Sequence, residues 1–161
     1  MPALVWDAEG SRLYETGTDH GILFPRATTG SGYSAGVAWN GITGVSEAPE
    51  GAESNPQYAD NIKYLDLTSA ENFKATLTAF TYPVEFEECD GSASPKPGLT
   101  LSGQPRKSFA LAYRTKVGND TKGDDYGYKL HLVYGCKAAP SQKDRKTIND
   151  SPEAIEFYWV S

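Results

Sequence analysis

The sequence predicts a mainly β fold, an antiparallel β-sandwich with one short flanking helix and long loops. Apolar and polar residues alternate at period two in several segments, as in Phe109, Leu111 and Tyr113. The 16 Gly and 10 Pro are scattered between these segments and form no repeat, which is typical of turns joining short strands. A chain of 161 residues can bury about 70% of its unfolded surface, so we expect a single domain over residues 1–161.

In the first third of the chain, residues 1–12 are expected to be extended. Two short apolar patches follow, at residues 13–14 and 22–24, and the Gly-rich stretch 16–21 between them predicts a turn. Residues 37–45 place apolar side chains on one face at period two, which predicts a strand bent at a glycine.

The next segment, residues 47–61, is acidic and contains no Lys or Arg. It predicts an exposed loop, and a loop of this length in a compact domain is usually functional or disordered. A hairpin is expected after it, with strands at 62–67 and 73–82 and a turn at 69–72.

The second half of the chain is predicted to contain a short helix, a hairpin and a final strand. Pro83 begins an acidic stretch that closes on Gly91 and suits a short helix, followed by a connector at 92–107. The hairpin pairs residues 108–118 with 124–139 around a turn at 119–125. A second polar loop is expected at 139–152, and Ile155, Phe157 and Trp159 then share one face of the last strand.

Charge and composition exclude several classes of function. The net charge of −6 argues against nucleic-acid binding, which needs clustered Lys and Arg to displace counterions. No apolar run approaches the roughly 20 residues that would span a bilayer. The N-terminus has no basic and apolar signal pattern, so we expect a soluble protein made in the cytoplasm, with Cys89 and Cys136 as free thiols.

The residues that could carry chemistry do not form a recognisable site. Asp19 and His20 are adjacent, but neighbours in a strand point to opposite faces, so a structural role is expected. His131, between two leucines, is expected at the surface or an interface. The cluster of Asp120, Asp124 and Asp125 lacks the spacing of a calcium loop and predicts a solvated turn.

The sequence contains no C-x-x-C, H-E-x-x-H or P-loop, and its Gly32–Gly36 stretch, GYSAG, lacks the flanking strand and helix of a nucleophile elbow. We therefore expect no enzymatic activity, no cofactor and no metal.

Several long blocks resemble the major tail tube proteins of siphophages, bacteriophages with long non-contractile tails, that infect Gram-positive bacteria. The resemblance covers nearly the whole chain, from Tyr14 to Trp159, in ordered blocks and not in one short motif. The blocks are residues 14–25, 36–73, 78–92, 106–141 and 147–159.

This resemblance implies a virion protein that forms hexameric rings, in which each subunit adds a sheet to a continuous β-barrel, and rings that stack into a hollow tube. Genomic DNA would pass through the lumen without specific binding, which an acidic or neutral lining favours. The implied partners are other copies of the chain and the tape measure, tail terminator and distal tail proteins, with no membrane. The protein would assemble in the host cytoplasm and reside in the virion tail.

The resemblance also implies where subunits meet. Residues 47–61 would form an arm that reaches a neighbouring ring and becomes ordered on stacking, and the loop 139–152 and the N-terminal segment would add contacts. The candidate inter-ring or inter-subunit residues are Glu47, Glu50, Glu53, Asn55, Tyr58, Asp60, Lys143, Asp144 and Arg145. The candidate lumen-facing residues are Asp66, Glu71 and Glu156. Relatives continue beyond the last core strand, at which this chain ends.

Two alternatives remain open from the residues. A β-sandwich that decorates the virion or binds a surface glycan would have a similar composition, with Trp39, Trp159 and the Tyr-rich strands as its stacking platform. A small hydrolase would depend on His20.

Overall fold

A computed structural model describes residues 3–145, 147 and 151–161, and in them the chain is mainly β with antiparallel pairing throughout. A single turn of 3-10 helix at Val84–Phe86 runs into the short helix α1 at Glu87–Asp90. The strands are β1 Leu13–Pro25, β2 Val37–Trp39, β3 Ile42–Gly51, β4 Ser54–Ala59, β5 Ile62–Thr68, β6 Glu71–Ala79, β7 Ala93–Lys96, β8 Leu99–Leu101, β9 Phe109–Asn119, β10 Gly123–Ala138 and β11 Ile155–Val160.

Seven strands form one sheet in the order β2-β1-β9-β10-β11-β6-β3. Strand β10 belongs to both halves of it: residues 123–136 pair with β9, and only Lys137 and Ala138 pair with β11. A bulge between Val133 and Cys136 separates these two parts, and Gly135 adopts φ 70° there. The bulge therefore redirects β10 from one half of the sheet into the other.

The two halves of the sheet pack against each other through aromatic side chains. Trp39 of β2 lies 5.4 Å from Phe157 of β11, and Phe109 of β9 lies 6.3 Å from Trp159, measured between ring centroids. Phe86, next to α1, contacts both sides, at 4.8 Å from Trp39 and 5.4 Å from Phe157. Edge-on aromatic pairs of this kind stabilise a core by more than the burial of their apolar surface alone.

The predicted short helix is confirmed. It follows Pro83, whose extended backbone precedes the first turn, and it ends at Gly91 in the left-handed conformation with φ 79°. Because Phe86 and Cys89 are both buried, this helical segment closes the core on one side.

Two predictions for the first third of the chain are wrong. Residues 16–21 form no turn, since β1 runs unbroken along β9 and absorbs the Gly-rich stretch in two bulges, with Gly17 and His20 at positive φ. Residues 37–45 are not one strand, because Asn40 and Gly41, which has φ 78°, divide it into β2 and β3. These two strands lie at opposite ends of the sheet order.

The N-terminal residues 3–12 contain neither strand nor helix, and a turn closes where the amide of Ser11 donates to the carbonyl of Ala8 at 3.0 Å. Met1 and Pro2 lie outside the described residues.

The predicted loop at 47–61 and the hairpin at 62–82 are also wrong, because β3 pairs with β6 and β4 pairs with β5. Together they make one long ribbon whose distal part, residues 54–68, we call the arm. Its tip is a two-residue turn in which Asp60 and Asn61 have φ 51° and 61°. Asp and Asn tolerate positive φ, so a tight turn forms here and pairs β4 with β5. The alternation of apolar and polar residues alone does not decide which strands pair.

The remaining elements largely follow expectation. The connector at 92–107 contains an unpredicted small hairpin, β7 and β8, turned at Gly98. The hairpin of β9 and β10 and the final strand are confirmed, with Phe157 and Trp159 buried together. Of the predicted polar loop at 139–152, residues 146 and 148–150 lie outside the described residues.

We predict that Phe157→Ala destabilises the fold by roughly 3–5 kcal/mol, the usual cost of removing a buried aromatic ring. Phe157 is fully buried, whereas its neighbour Tyr158 is 41% exposed, so Tyr158→Ala is the matched control and is expected to change stability by about 1 kcal/mol or less. Urea unfolding followed by tryptophan fluorescence measures both variants. Equal losses in the two variants would contradict the assignment of Phe157 to the core.

Candidate assembly surfaces

The arm is a paired ribbon with almost no buried surface. Its residues are exposed except for Pro56, which is half-buried. Its five large apolar side chains expose between 47% and 72% of their surface, and they are Tyr58, Ile62, Tyr64, Leu65 and Leu67. A two-stranded hairpin alone is marginally stable in water, so this surface is suited to burial against a partner.

The polar groups of the arm mostly bind each other. Asp66 accepts a hydrogen bond from the Ser54 hydroxyl at 2.6 Å and pairs with Lys63, which lowers the pKa of the Asp66 carboxyl. Asn55 accepts from the Gln57 amide at 3.0 Å. Residues 47–68 contain five acidic residues and one Lys, hence a net charge of −4. The predicted acidic character of this region therefore belongs to a ribbon and not to a loop.

The acidic residues at the root of the arm make contacts within their own subunit. Glu47 accepts a hydrogen bond from the buried Tyr113 hydroxyl, and burial followed by this contact raises the pKa of Tyr113. Glu50 pairs with Lys74 at 2.5 Å. The Ser69 amide donates to the Glu53 carbonyl and the Glu53 amide donates to the Ser69 hydroxyl oxygen, both at 3.1 Å. Among the predicted contact residues of this region, Tyr58, at 72% exposed, and Asp60 at the tip lie farther out.

The three predicted contact residues of the second loop differ from one another. The Lys143 ammonium lies 2.5 Å from an Asp90 carboxylate oxygen and 4.6 Å from the centroid of the Tyr82 ring, so it holds the loop against the helical segment of its own subunit. Asp144 accepts from the Gln142 amide at 3.0 Å, and Arg145 is exposed.

The three candidate lumen residues do not share a face. Glu156, opposite Thr78, projects from the outer face of β11, where it accepts from the Tyr158 hydroxyl. Glu71 lies two residues before Phe73, so both side chains project from the same face of β6, which is opposite to the outer face. Asp66 lies on the arm. The outer face of β11, β6 and β3 is mostly polar, and it also carries Tyr158 and Val160, which are 41% and 38% exposed. Its polar members besides Glu156 are Ser46, Glu50, Asn72, Lys74, Thr76 and Thr78.

Strand β10 carries an exposed apolar row that the sequence analysis did not identify. Tyr128, Leu130, Leu132 and Tyr134, which we call the β10 stripe, expose 60%, 67%, 55% and 59% of their surface. The opposite face points inward, where His131 stacks on Tyr113 with ring centroids 4.6 Å apart. His131 is half-buried, with 29% of its side chain exposed, and its place at the surface or an interface stays a prediction.

Several strand edges lack a neighbour within the described part of the chain. The β1 residues 13–19 pair only with β9, since β2 covers only Gly21 to Leu23. Strand β3 pairs only with β6, and β10 before Lys137 pairs only with β9. Open edges of this kind are templates for pairing with another chain.

The residues considered for chemistry have structural partners. Arg114 holds Asp19 through two hydrogen bonds of 2.6 and 2.8 Å, and these, more than the contact with His20 Nδ1 at 2.9 Å, keep the pKa of Asp19 well below its usual range. Asp120 accepts from the Gly10 amide at 3.0 Å, and Asp124 accepts from the Tyr14 hydroxyl at 2.8 Å. No cluster of three or more metal-binding side chains occurs in the described residues.

Cys89 and Cys136 are free and buried, which confirms the prediction for the thiols. Burial raises the pKa of Cys89 to about 11 and that of Cys136 to about 12, so both thiols stay protonated and unreactive near neutral pH.

The two tryptophans considered as a glycan platform are in the core, at 3% and 2% exposure for Trp39 and Trp159. They cannot stack on a sugar at the surface, so that part of the glycan-binding alternative is wrong.

Within the described ranges, the helices include none with the length and apolar character needed to cross a bilayer. No protein-family model matches the chain, and no curated protein or solved structure shows significant similarity to it.

We predict that Asp19 contributes to the acid sensitivity of the fold. Its folded-state pKa is depressed, so the stabilisation is complete above the unfolded pKa of about 4 and is lost as the pH falls below that value. In urea unfolding at pH 6 and pH 3, the wild type should lose more stability than Asp19→Asn. Asp125→Asn, exposed near the start of β10, controls for the change of charge. An identical loss in the Asp19 variant and the wild type would refute the prediction.

Proposed function

We propose that this chain is a structural virion protein whose hexameric rings stack into a hollow phage tail tube that delivers genomic DNA. The exposed arm is the observation that carries the proposal. An ordered ribbon with five exposed large apolar side chains gains stability only when another surface covers it. Other large apolar side chains are exposed as well, among them the row on β10, so the arm is one of several surfaces suited to a contact between subunits.

The open strand edges support ring formation. Strands β1, β3 and β10 each leave an edge free along much of their length. Pairing of one edge in a subunit with a different edge in the next is a heterologous contact, and such contacts close into a ring when the rotation allows it. Closure removes the exposed edges that would otherwise promote aggregation.

The charge distribution supports a conduit through which DNA passes freely. The polar outer face of β11, β6 and β3 is the surface best suited to line a water-filled lumen, since it combines hydroxyl groups with the Glu50–Lys74 pair and Glu156. A net charge of −6 leaves little attraction for phosphate groups. The finer assignments, a sandwich that contributes one sheet per subunit to a barrel and a location in the virion tail, belong to the same proposal.

We predict that replacing arm residues 54–68 with a short Gly-Ser linker abolishes tubes without unfolding the domain. The arm lies outside the core, so the thermal unfolding transition should persist. Negative-stain electron microscopy of purified protein measures assembly, and circular dichroism checks the fold.

The matched control substitutes the exposed residues of the small β7–β8 hairpin, Lys96 and Leu99, with Ser, and it should leave assembly intact. Tubes of normal length from the protein without its arm would overturn the proposed role of the arm.

We also predict that neither the subunit nor assembled tubes bind double-stranded DNA, even at about 50 mM salt, at which phosphate contacts are strong. Fluorescence anisotropy of a labelled duplex measures this. Binding that weakens as salt is added would contradict a lumen that lets DNA pass freely.

A further inference from the structure

The β10 stripe is an apolar surface that the subunit itself leaves open. Its four side chains, Tyr128, Leu130, Leu132 and Tyr134, are each more than half exposed, and they form one continuous row on the outer face of β10. We propose that the β10 stripe is the docking surface for the arm of a second copy of this chain. This inference rests on the proposed self-assembly and specifies which two surfaces meet.

The two surfaces match in length and character. The stripe spans residues 128–134, and β5 of the arm spans Ile62–Thr68. Each covers seven residues, or about 23 Å at roughly 3.3 Å per residue. Ile62 and Tyr64 share one face of β5, and packing this face against the stripe buries apolar area on both surfaces.

The charges around the two surfaces are complementary. Strands β9 and β10, which carry the stripe, contain four cationic residues against Asp124 and Asp125, a net charge of +2, whereas residues 47–68 carry a net charge of −4. Two of the cations are already paired with β1, Arg114 with Asp19 and Lys129 with Glu15. The other two, Lys116 and Lys137, are exposed beside the stripe, where they attract an acidic ribbon.

The arm that covers the stripe comes from another copy, because within one chain both the arm and the stripe are exposed. The arm continues β3 and β6, and in the sheet order β11 lies between β6 and β10. Since the exposed arm leaves its own stripe uncovered, a head-to-tail contact between copies buries both surfaces. A stripe packed on a second stripe would instead bring the same cations together.

Cysteine cross-linking tests the contact directly. Tyr64→Cys places a thiol on the arm and Leu130→Cys places one on the stripe, at positions that are 69% and 67% exposed, so neither change disturbs the core. The native thiols are buried and do not interfere. The two variants are purified separately, mixed, allowed to assemble, oxidised mildly and separated on a non-reducing gel. Val84→Cys, 71% exposed beside the helix, replaces Leu130→Cys in the control mixture.

We expect the Tyr64→Cys and Leu130→Cys mixture to give at least about tenfold more cross-linked dimer than the control, because a docked pair holds the thiols at millimolar effective concentration. Dimer formation by Leu130→Cys alone, at the yield of the mixture, would mean that two stripes pack together and would overturn the inference. Equal yields in the mixture and the control would overturn it as well.

Negative-stain images of the same samples separate the two proposals. Tubes without the specific cross-link mean that the arm docks elsewhere, and the tail tube proposal is then retained. The specific cross-link in small oligomers, without tubes, means that the contact is right and the tail tube proposal is wrong. A monomer that gives neither overturns both.

Discussion

The fold depends on one aromatic cluster that joins the two halves of the sheet. Phe86 contacts Trp39 from β2 and Phe157 from β11, so the helical segment and both halves share a single set of contacts. Because Trp39 ends β2 and β3 begins at Ile42, the same cluster holds the two outermost strands of the sheet order beside the core. Strand β10 can then change halves at its bulge without losing the core on either side.

The residues that stabilise the fold are therefore separate from the exposed residues that are available to a partner. The core residues come from the ends of strands that meet near the helix, whereas the arm and most of β10 extend past them. Substitutions in the arm or the stripe should therefore have little effect on folding stability, because these side chains are exposed. The contacts of Glu47 with Tyr113 and of Lys143 with Asp90 lie between these regions and fix the root of the arm and the second loop.

The sequence predicted most strands, but it predicted the right partners only for β9 and β10. Residues in β9, β10 and β11 were identified correctly because strong period-two patterns flank a clear turn. The pattern at 62–82 fits pairing with either neighbour, and only the Asp60-Asn61 turn decides it. Alternation also does not show which face of a strand is buried, and in β10 the half-buried His131 lies on the inner face while the apolar row lies on the outer one. The acidic segment indicated where the arm lies but not that it is a ribbon.

The long ladder beneath the arm has a mechanical consequence. The register of β3 and β6 runs from Ile42 opposite Ala79 to Gly51 opposite Glu71, and Gly51 and Ala52, with φ 105° and 55°, separate this ladder from the arm. Both β3 and β6 lead into the arm, so a pull on the arm draws the two strands in the same direction and does not shear the hydrogen bonds between them. The load passes instead to the six residue pairs between β6 and β11, which join this ribbon to the rest of the sheet. Mechanical attachment of the arm therefore depends on the pairing of the final strand.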